Sequence, residues 1–230
     1  MRKLFEEYIN DFIVRFTYNS NAIEGSTLTL AETKIILMEN QSVGNKSLRE
    51  IYEAVNHKTA FLHILTEISN LNPCSVSMIL EIHKILMSNI SHDADKFKEH
   101  ENIILESDFQ TAAPRLVPQL IKQWVDNINY QIEKAESKEQ ILSVIGEQHI
   151  EFEKIHPFSD GNGRTGRMLI NYYLLSNGFL PIIIKNSMRG QYILNLSEGN
   201  AQALTEMMQD SLLEEEKRYL AVKNLAKQEI

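Results

Sequence analysis

The stretch "FEKIHPFSDGNGRTGRMLI", residues 152–170, places three glycines, two arginines, one aspartate and one histidine between two apolar segments. Pro157 disfavours helical geometry at the residue before it, so we expect the preceding helix to end near His156. A helical pattern resumes at about Arg164, which leaves Gly161 and Gly163 in a loop at a helix N-terminus. The backbone N–H groups of such a loop can point toward one anion, and phosphate is the usual occupant. The stretch therefore predicts a phosphate site between two helices.

The charged side chains of this loop supply the chemistry that a nucleotide triphosphate needs. Arg164 and Arg167 are three residues apart, so they share a helix face and can each form paired hydrogen bonds to phosphate oxygens. A carboxylate beside polyphosphate, here Asp160, commonly binds Mg²⁺. Histidine has an unperturbed pKa of about 6.5, which makes neutral His156 available as a general base. Together these groups predict attack of a hydroxyl on a nucleotide phosphorus.

Each of these residues also has a plainer interpretation when it is taken singly. The glycines could form an ordinary turn, the arginines could be solvated, Asp160 could be an N-cap and His156 could be structural. Their occurrence together within the stretch from His156 to Arg167 is what favours a functional site.

The rest of the chain is predicted to be mostly helical. Two segments, "TLAE" at 29–32 and "SLRE" at 47–50, have the pattern of capping boxes. We expect further helices at about 76–88, 118–132, 138–154 and 164–176, and from about 200 onward, with the charged run at 212–220 on a solvated face. An apolar stripe of helical period marks the first helix, at Leu4, Phe5, Tyr8, Ile9, Phe12, Ile13 and Phe16. The helix that follows Ser47 is expected to bury Ile51, Val55, Leu62, Leu65 and Ile68.

One segment departs from the helical pattern. "HENIILESDFQTAAP", residues 100–114, has its best strand candidate at Glu101 to Glu106, followed by turn-forming residues. We interpret it as a short β-hairpin or irregular flap. The predicted fold class is therefore all-α with one small β excursion.

Composition limits the classes of partner. The chain of 230 residues has a net charge of −8, and an acidic chain is a poor general binder of nucleic acid or of an anionic membrane. Its one cysteine, Cys74, permits no intrachain disulfide. The first twelve residues lack the apolar core of a signal peptide, and no apolar run is long enough to span a membrane. We expect a cytoplasmic protein that binds neither nucleic acid nor membrane.

The segment "HPFSDGNGRTGR", residues 156–167, resembles the signature of the Fic family, H-x-F-x-[D/E]-G-N-G-R-x-x-R, at every fixed position. Further similarity is found in "ILEIHKILM" at 79–87, in the flap segment and in "GQYILNLSEGN" at 190–200. The resemblance implies a Fic-type helical bundle with a short β-hairpin flap in one compact domain. Its parts would be an N-terminal helical region at 1–70, a catalytic core at 71–210 and a helical tail at 211–230. Gly163 is the residue of the AMP-transferring form, which related Doc phosphotransferases replace.

The resemblance also implies a role for each matching residue. His156 would accept the proton of a Ser, Thr or Tyr hydroxyl on a target protein, and Asp160 would bind Mg²⁺ between the α- and β-phosphates of ATP. AMP would move to the hydroxyl, and pyrophosphate would leave. The anion hole and the rest of the phosphate site would comprise Gly161, Asn162, Gly163, Arg164, Thr165, Gly166 and Arg167. Adenosine contacts would come from Tyr192, Ile193 and Asn200, and target alignment by the flap from Glu106, Ser107, Asp108 and Phe109. The family often has a second aromatic residue where this chain has Ile193.

An earlier motif, "SNAIEG" at residues 20–25, resembles the inhibitory helix of this family, [S/T]-x-x-x-E-[G/N]. Ser20 and Glu24 lie on one helix face, and Glu24 could pair with Arg167 in fork geometry. Such a pair would occupy a donor that the γ-phosphate needs, so we expect an autoinhibited enzyme. By itself, the motif is better explained as a helix end with an exposed glutamate.

Three alternatives stay open from the sequence. The first is the reverse reaction, deAMPylation, in which Glu24 would position a water molecule. The second is transfer of a different phosphate-containing group. The third is a non-enzymatic ATP-binding or toxin-neutralising module. A homo-oligomer is also compatible with the resemblance.

Overall fold

Nine α-helices build the part of the chain that the computed structural model describes, which is 2–101 and 111–228 for the backbone and 6–101 and 111–224 for the side chains. These described ranges contain no strand. The helices are α1 (Arg2–Ile23), α2 (Leu30–Glu39), α3 (Leu48–Ser69), α4 (Val76–Leu86), α5 (Val117–Lys134), α6 (Lys138–Ile155), α7 (Asn162–Ser176), α8 (Arg189–Glu198) and α9 (Ala201–Gln228). The predicted all-α fold class is confirmed. None of these nine helices is apolar over a length that would cross a bilayer.

The predicted flap falls outside the described residues. Residues 102–110 contain all four flap positions, Glu106, Ser107, Asp108 and Phe109, and all of the predicted strand except Glu101. The hairpin therefore stays a prediction.

Two helices organise the packing around the motif. α6 packs against α5, α7 and α9, and α3 packs against α1, α2, α4 and α7. α7 contacts both of them, and its first residues belong to the "HPFSDGNGRTGR" segment. The loop between α6 and α7 is thus held by helices on several sides, which is what a rigid site requires.

The helix starts follow the local sequence. Thr29 and Glu32 form a reciprocal capping box at α2, and Ser47 and Glu50 form another at α3. In each box the hydroxyl accepts from the N3 backbone N–H, and the glutamate accepts from the N-cap N–H, which satisfies two donors that the helix leaves unpaired. Both predicted capping boxes are confirmed.

The predicted buried face of α3 is wrong at Val55 and Leu62, which are 41% and 44% exposed. Ile51, Leu65 and Ile68 are half-buried and pack against the core. The face that packs against the core is formed mainly by small and polar residues, with two large apolar ones, at Glu53, Ala54, Asn56, His57, Ala60, Phe61 and Ile64. Small side chains allow neighbouring helices to approach closely, so hydrophobicity alone selected the wrong side.

The charged run at 212–220 is only partly solvated. Glu215 on α9 is 4% exposed, accepts a hydrogen bond from the Tyr8 hydroxyl at 3.0 Å and pairs with Arg15 at 2.5 Å. These contacts attach α9 to α1, the helix that ends in the "SNAIEG" motif. The C-terminal helix therefore helps to fix the position of that motif.

Candidate active site

The loop between α6 and α7 is shaped by two residues with left-handed backbones. His156 follows α6 with φ 50° and ψ 63°, and Gly161 precedes α7 with φ 80°. Glycine adopts this conformation without strain, whereas a histidine there is uncommon and is held by its surroundings. α6 ends at Ile155, as Pro157 predicts, although His156 takes the left-handed rather than the extended conformation.

A side chain of the loop itself closes the turn. The Asn162 amide accepts a hydrogen bond from the Phe158 N–H and donates one to the Phe158 carbonyl, both at 2.8 Å. Phe158 is fully buried. The Asn162 side chain is therefore used within the loop, so only its backbone N–H can serve the predicted anion hole.

His83 on α4 packs against the same loop. Its ring stacks on Phe158 with centroids 3.6 Å apart, and Nε2 lies 3.0 Å from the Asp160 carbonyl oxygen. Its Nδ1 lies 2.8 Å from the Ala94 carbonyl oxygen. Burial lowers the pKa of His83 below its usual value. His83 therefore holds the Asp160 backbone in place.

His156 has the protonation state that a general base requires. Burial and the nearby Lys98 ammonium lower the pKa of His156 to about 4, so the imidazole is neutral at pH 7. Its side chain is 18% exposed, and its Nδ1 is buried. Nε2 is therefore the nitrogen available to a substrate proton.

Asp160 is surrounded by cations. Arg49 on α3 donates to Oδ2 at 2.5 Å, Arg164 donates to Oδ1 at 3.1 Å, and the Gly161 N–H donates to Oδ1 at 2.6 Å. Burial would raise the pKa of Asp160, but Arg164, Arg49 and the Gly161 N–H together lower it. Glu53 lies 3.0 Å from Arg49 and 3.2 Å from Arg164, which completes a network of alternating charges. Contacts between α3, α7 and the loop before α7 therefore hold Arg49 and Arg164 in place beside Glu53 and Asp160.

The Asp160 carboxylate is a suitable ligand for Mg²⁺. The Asp160 carboxylate is ionised and 45% exposed, and Mg²⁺ is usually bound by one or two carboxylates, substrate phosphates and water. In the described part of the chain, no three His, Cys, Asp or Glu side chains are grouped so that they could hold a metal without such a substrate. Asp160 can therefore act as the protein's single ligand to a phosphate-bound metal.

The predicted contact between Glu24 and Arg167 is present, but as a single hydrogen bond rather than in the predicted fork geometry. Arg167 Nη2 donates to Glu24 Oε1 at 2.7 Å and to the Ser20 carbonyl at 2.9 Å, and Nε donates to the Ser20 hydroxyl at 3.0 Å. Arg167 is 2% exposed. Burial disfavours its charge, but the Glu24 carboxylate raises the pKa of Arg167 above its ordinary value. The end of α1 therefore holds the arginine that the motif provides.

The Glu24 carboxylate also lies against the glycine of the anion site. A Cβ at Gly163 would lie 2.5 Å from Glu24 Oε1 and 2.9 Å from Arg167 Nη1. Gly163 is the second residue of α7, where backbone N–H groups have no partner within the helix. A carboxylate thus occupies the space between a helix N-terminus and a buried guanidinium, where a phosphate would fit.

The remaining predicted ligands lie farther into the structure or at its surface. The Thr165 hydroxyl donates to the Gly161 carbonyl at 2.9 Å, and Gly166 packs against Glu153 and His149. Tyr192 on α8 is 1% exposed, lies with its ring 5.9 Å from Arg167 Cζ, and bonds to His149 through its hydroxyl. The structure gives these three residues packing roles, so their contact with ATP stays a prediction.

Two predicted adenosine contacts lie on α8 and just after it. Ile193 is half-buried against the core, and the exposed Asn200 caps α9 by accepting from the Ala203 N–H at 3.1 Å. Neither side chain reaches the Glu24–Arg167 pair through a described contact. Their role stays a prediction.

Four residues of the site were not predicted from the sequence. Arg49, Glu53, His149 and Glu153 all contact the motif or lie close to it. For the last two, a signal existed, because His149, Glu153 and His156 follow each other at spacings of four and three residues and share one helix face. Arg49 and Glu53 reach the site from α3, and no local pattern indicates that contact.

Comparison with known proteins agrees with this geometry. The family model described as "Fic/DOC family" matches residues 73–174. A protein adenylyltransferase of Caenorhabditis briggsae is 30% identical over 188 residues, which is 80% of this chain and 36% of that protein. One of Nematostella vectensis is 30% identical over 193 residues, which is 84% of this chain and 44% of that protein. The chain thus spans less than half the length of these curated relatives.

A solved structure shows the same fold. A Fic-domain-containing signalling protein from Bacteroides thetaiotaomicron superposes with a TM-score of 0.87 at 24% identity, covering 96% of this chain and 91% of that one. The similarity includes the helices on both sides of the motif.

Proposed function

Because a Fic/DOC family model matches residues 73–174 of this chain, we propose that the chain belongs to this family and is a protein adenylyltransferase. It moves AMP from ATP to a Ser, Thr or Tyr hydroxyl of a target protein and is held inactive by Glu24. The relatives named as protein adenylyltransferases support the activity.

The observation that carries the proposal is the position of the Glu24 carboxylate. Its Oε1 lies 2.7 Å from Arg167 Nη2. The same oxygen lies against Gly163, where an added Cβ would be only 2.5 Å from it. A carboxylate oxygen and a phosphate oxygen accept the same donors, so Glu24 stands in for a phosphate group. In the active form, the terminal phosphates of ATP take this place.

The chemistry is a substitution at the α-phosphorus. The target hydroxyl gives its proton to Nε2 of neutral His156, and its oxygen forms a bond to the α-phosphorus. The bond between the α-phosphorus and the oxygen bridging to the β-phosphate breaks, and pyrophosphate leaves with that electron pair. Backbone N–H groups of Asn162 and Gly163 stabilise the negative charge on the phosphate oxygens. Mg²⁺ held by Asp160 and the phosphates would supply charge neutralisation.

Autoinhibition follows from competition for one guanidinium. Arg167 donates one hydrogen bond to Glu24 and two to Ser20, so the end of α1 and the residue that follows it occupy three of its hydrogen bonds. While Glu24 stays in place, its negative charge excludes the γ-phosphate. The tail of ATP is then misplaced, and its α-phosphorus is not aligned for attack.

The reaction type is tested with labelled ATP and the Glu24→Gly protein in a host lysate. Because AMP is the transferred group, ³²P in the α position should be retained on protein, and this labelling should be lost when His156→Ala is added. Retention of the γ label that is lost in the same way would identify a phosphotransferase and contradict the proposal. Release of AMP from a premodified target, with no labelling, would favour deAMPylation.

The compartment is part of the same proposal. A single, buried cysteine suits a reducing cytoplasm, and ATP and Mg²⁺ are both abundant there. Mass spectrometry of proteins modified by the Glu24→Gly form in a lysate fractionated by compartment would identify the targets and test this placement.

A further inference from the structure

A buried carboxyl group lies directly behind the catalytic histidine. Glu153 on α6 is 5% exposed, and its Oε2 lies 4.0 Å from His156 Nδ1. Its Oε1 lies 4.0 Å from His149 Nε2. Neither Glu153 Oε1 nor His156 Nδ1 has a hydrogen-bond partner of ordinary geometry. Buried polar atoms without partners are uncommon, so two of them at one site call for a functional explanation.

The surroundings of Glu153 come from four helices and one loop. His149 lies on the same helix, His156 directly follows it, and the charges of Arg167 on α7 and of Glu24 after α1 act on Glu153. Tyr192 of α8 and Lys98 of the loop after α4 act on its two histidine neighbours. A Cβ at Gly166 would lie 2.5 Å from Glu153 Oε1, so a glycine makes room for this carboxyl group.

The same environment keeps Glu153 protonated. Burial raises the pKa of Glu153 to about 8, with Arg167 opposing this shift and Glu24 adding to it. At pH 7 a neutral carboxylic acid therefore faces a neutral imidazole. A neutral carboxylic acid has both a carbonyl oxygen and an O–H group, and the carbonyl oxygen can accept a hydrogen bond from a ring N–H.

We propose that Glu153 is a positioning residue that sets the tautomer of His156. A small rotation brings its carboxyl oxygen to Nδ1–H, which then donates to it. The proton of the neutral ring is held on Nδ1, and Nε2 keeps the lone pair that accepts the target's hydroxyl proton. Glu153 forms no bond to substrate. The inference rests on the proposed function for its catalytic meaning, but the tautomer itself can be measured without any reaction.

The Glu153 backbone carbonyl offers Nδ1 a competing acceptor, since it raises the pKa of His156. Substitution of the side chain separates the two acceptors, because it removes the carboxyl group and leaves the backbone carbonyl. Leucine provides no acceptor at this position, whereas glutamine preserves a carbonyl oxygen of similar shape. Glu151, which is exposed on the same helix, provides a matched control.

The test compares Glu24→Gly protein with three double variants that add Glu153→Leu, Glu153→Gln or Glu151→Leu. Histidine ¹⁵N chemical shifts at pH 7 report the His156 tautomer, and thermal melts report folding. We expect the Nδ1–H tautomer of His156 to be the major form in the parent, in Glu153→Gln and in Glu151→Leu. In Glu153→Leu, we expect the population of this tautomer to fall until it is no longer the major form. AMP transfer should fall roughly tenfold or more in kcat in Glu153→Leu, with KM for ATP unchanged, and recover largely in Glu153→Gln.

An unchanged His156 tautomer and unchanged kcat in the folded Glu153→Leu variant would overturn the inference. If the parent transfers no AMP, the proposed function fails, and the ¹⁵N shifts alone decide the role of Glu153. A shift in tautomer then supports the inference, and an unchanged tautomer contradicts it.

Discussion

Replacing His156 with alanine in the Glu24→Gly background should lower the rate of AMP transfer by about 10²- to 10⁴-fold, the usual contribution of a general base. The Nδ1 of His156 is buried, which leaves Nε2 as the nitrogen available to the target hydroxyl. Without it, the target hydroxyl must lose its proton to water. Binding of ATP should change little, because His156 makes no predicted contact with the triphosphate. Steady-state kinetics with α-labelled ATP separates the two effects.

The control for this variant is His63→Ala, which removes a half-buried histidine from α3, outside the site. It should transfer AMP at the rate of the parent. Equal rates for His156→Ala and the parent would exclude His156 as the base.

The pH dependence of kcat/KM is a second test of the role of His156. Burial lowers the pKa of His156 to about 4, so the base is neutral and active at any pH well above that value. Glu24 favours the protonated ring, so its removal shifts the pKa of His156 no higher. The acid limb of kcat/KM for the Glu24→Gly protein should therefore lie near pH 4 rather than near the ordinary histidine value of about 6.5. An acid limb at the ordinary value would show that His156 is solvated in the active form.

Replacing Glu24 with glycine should raise AMP transfer by about 10- to 100-fold over wild type. Hydrogen bonds to charged groups contribute about 1.5–3 kcal/mol. In the wild-type chain, the γ-phosphate must displace Glu24 from Arg167, which costs free energy of this order. α1 ends at Ile23, so the glycine falls outside the helix and disturbs it little. Initial rates with α-labelled ATP and one modified target provide the measurement.

The matched control is Glu39→Gly, which removes another carboxylate at a helix end, the last residue of α2. It should leave the rate at the wild-type level. The effect of Glu24→Gly should also require Arg167, because the two residues form one pair. Activation that persists in an Arg167→Ala background would mean that Glu24 inhibits by another route.

Local chemistry allowed much of the site to be predicted from the sequence. Pro157 ends α6, Gly161 takes the positive φ that a tight turn needs, and the capping boxes start α2 and α3. The contact between Glu24 and Arg167, which are 143 residues apart, was expected only from the resemblance of both motifs to the family. The predictions from local chemistry succeed because the turn and the caps each depend on a few identified side chains.

Contacts that depend on how helices pack could not be read in the same way. α3 buries Ala54, His57 and Ala60 rather than Val55 and Leu62, because close helix packing favours small residues on the inner face. Arg49 and Glu53 reach Asp160 and Arg164 only because α3 lies beside α7. Glu215 looked like part of a solvated run, but it is buried by Tyr8 and Arg15 of α1. Periodicity contains no information about which helix lies opposite.

The most direct measurement is a crystal structure of the Glu24→Gly protein with Mg²⁺ and a non-hydrolysable ATP analogue. The account predicts a terminal phosphate oxygen within hydrogen-bond distance of Arg167, in the position that Glu24 Oε1 occupies beside Gly163, with the metal bound to Asp160. A nucleotide bound elsewhere, or a phosphate tail that makes no contact with Arg167, would contradict it.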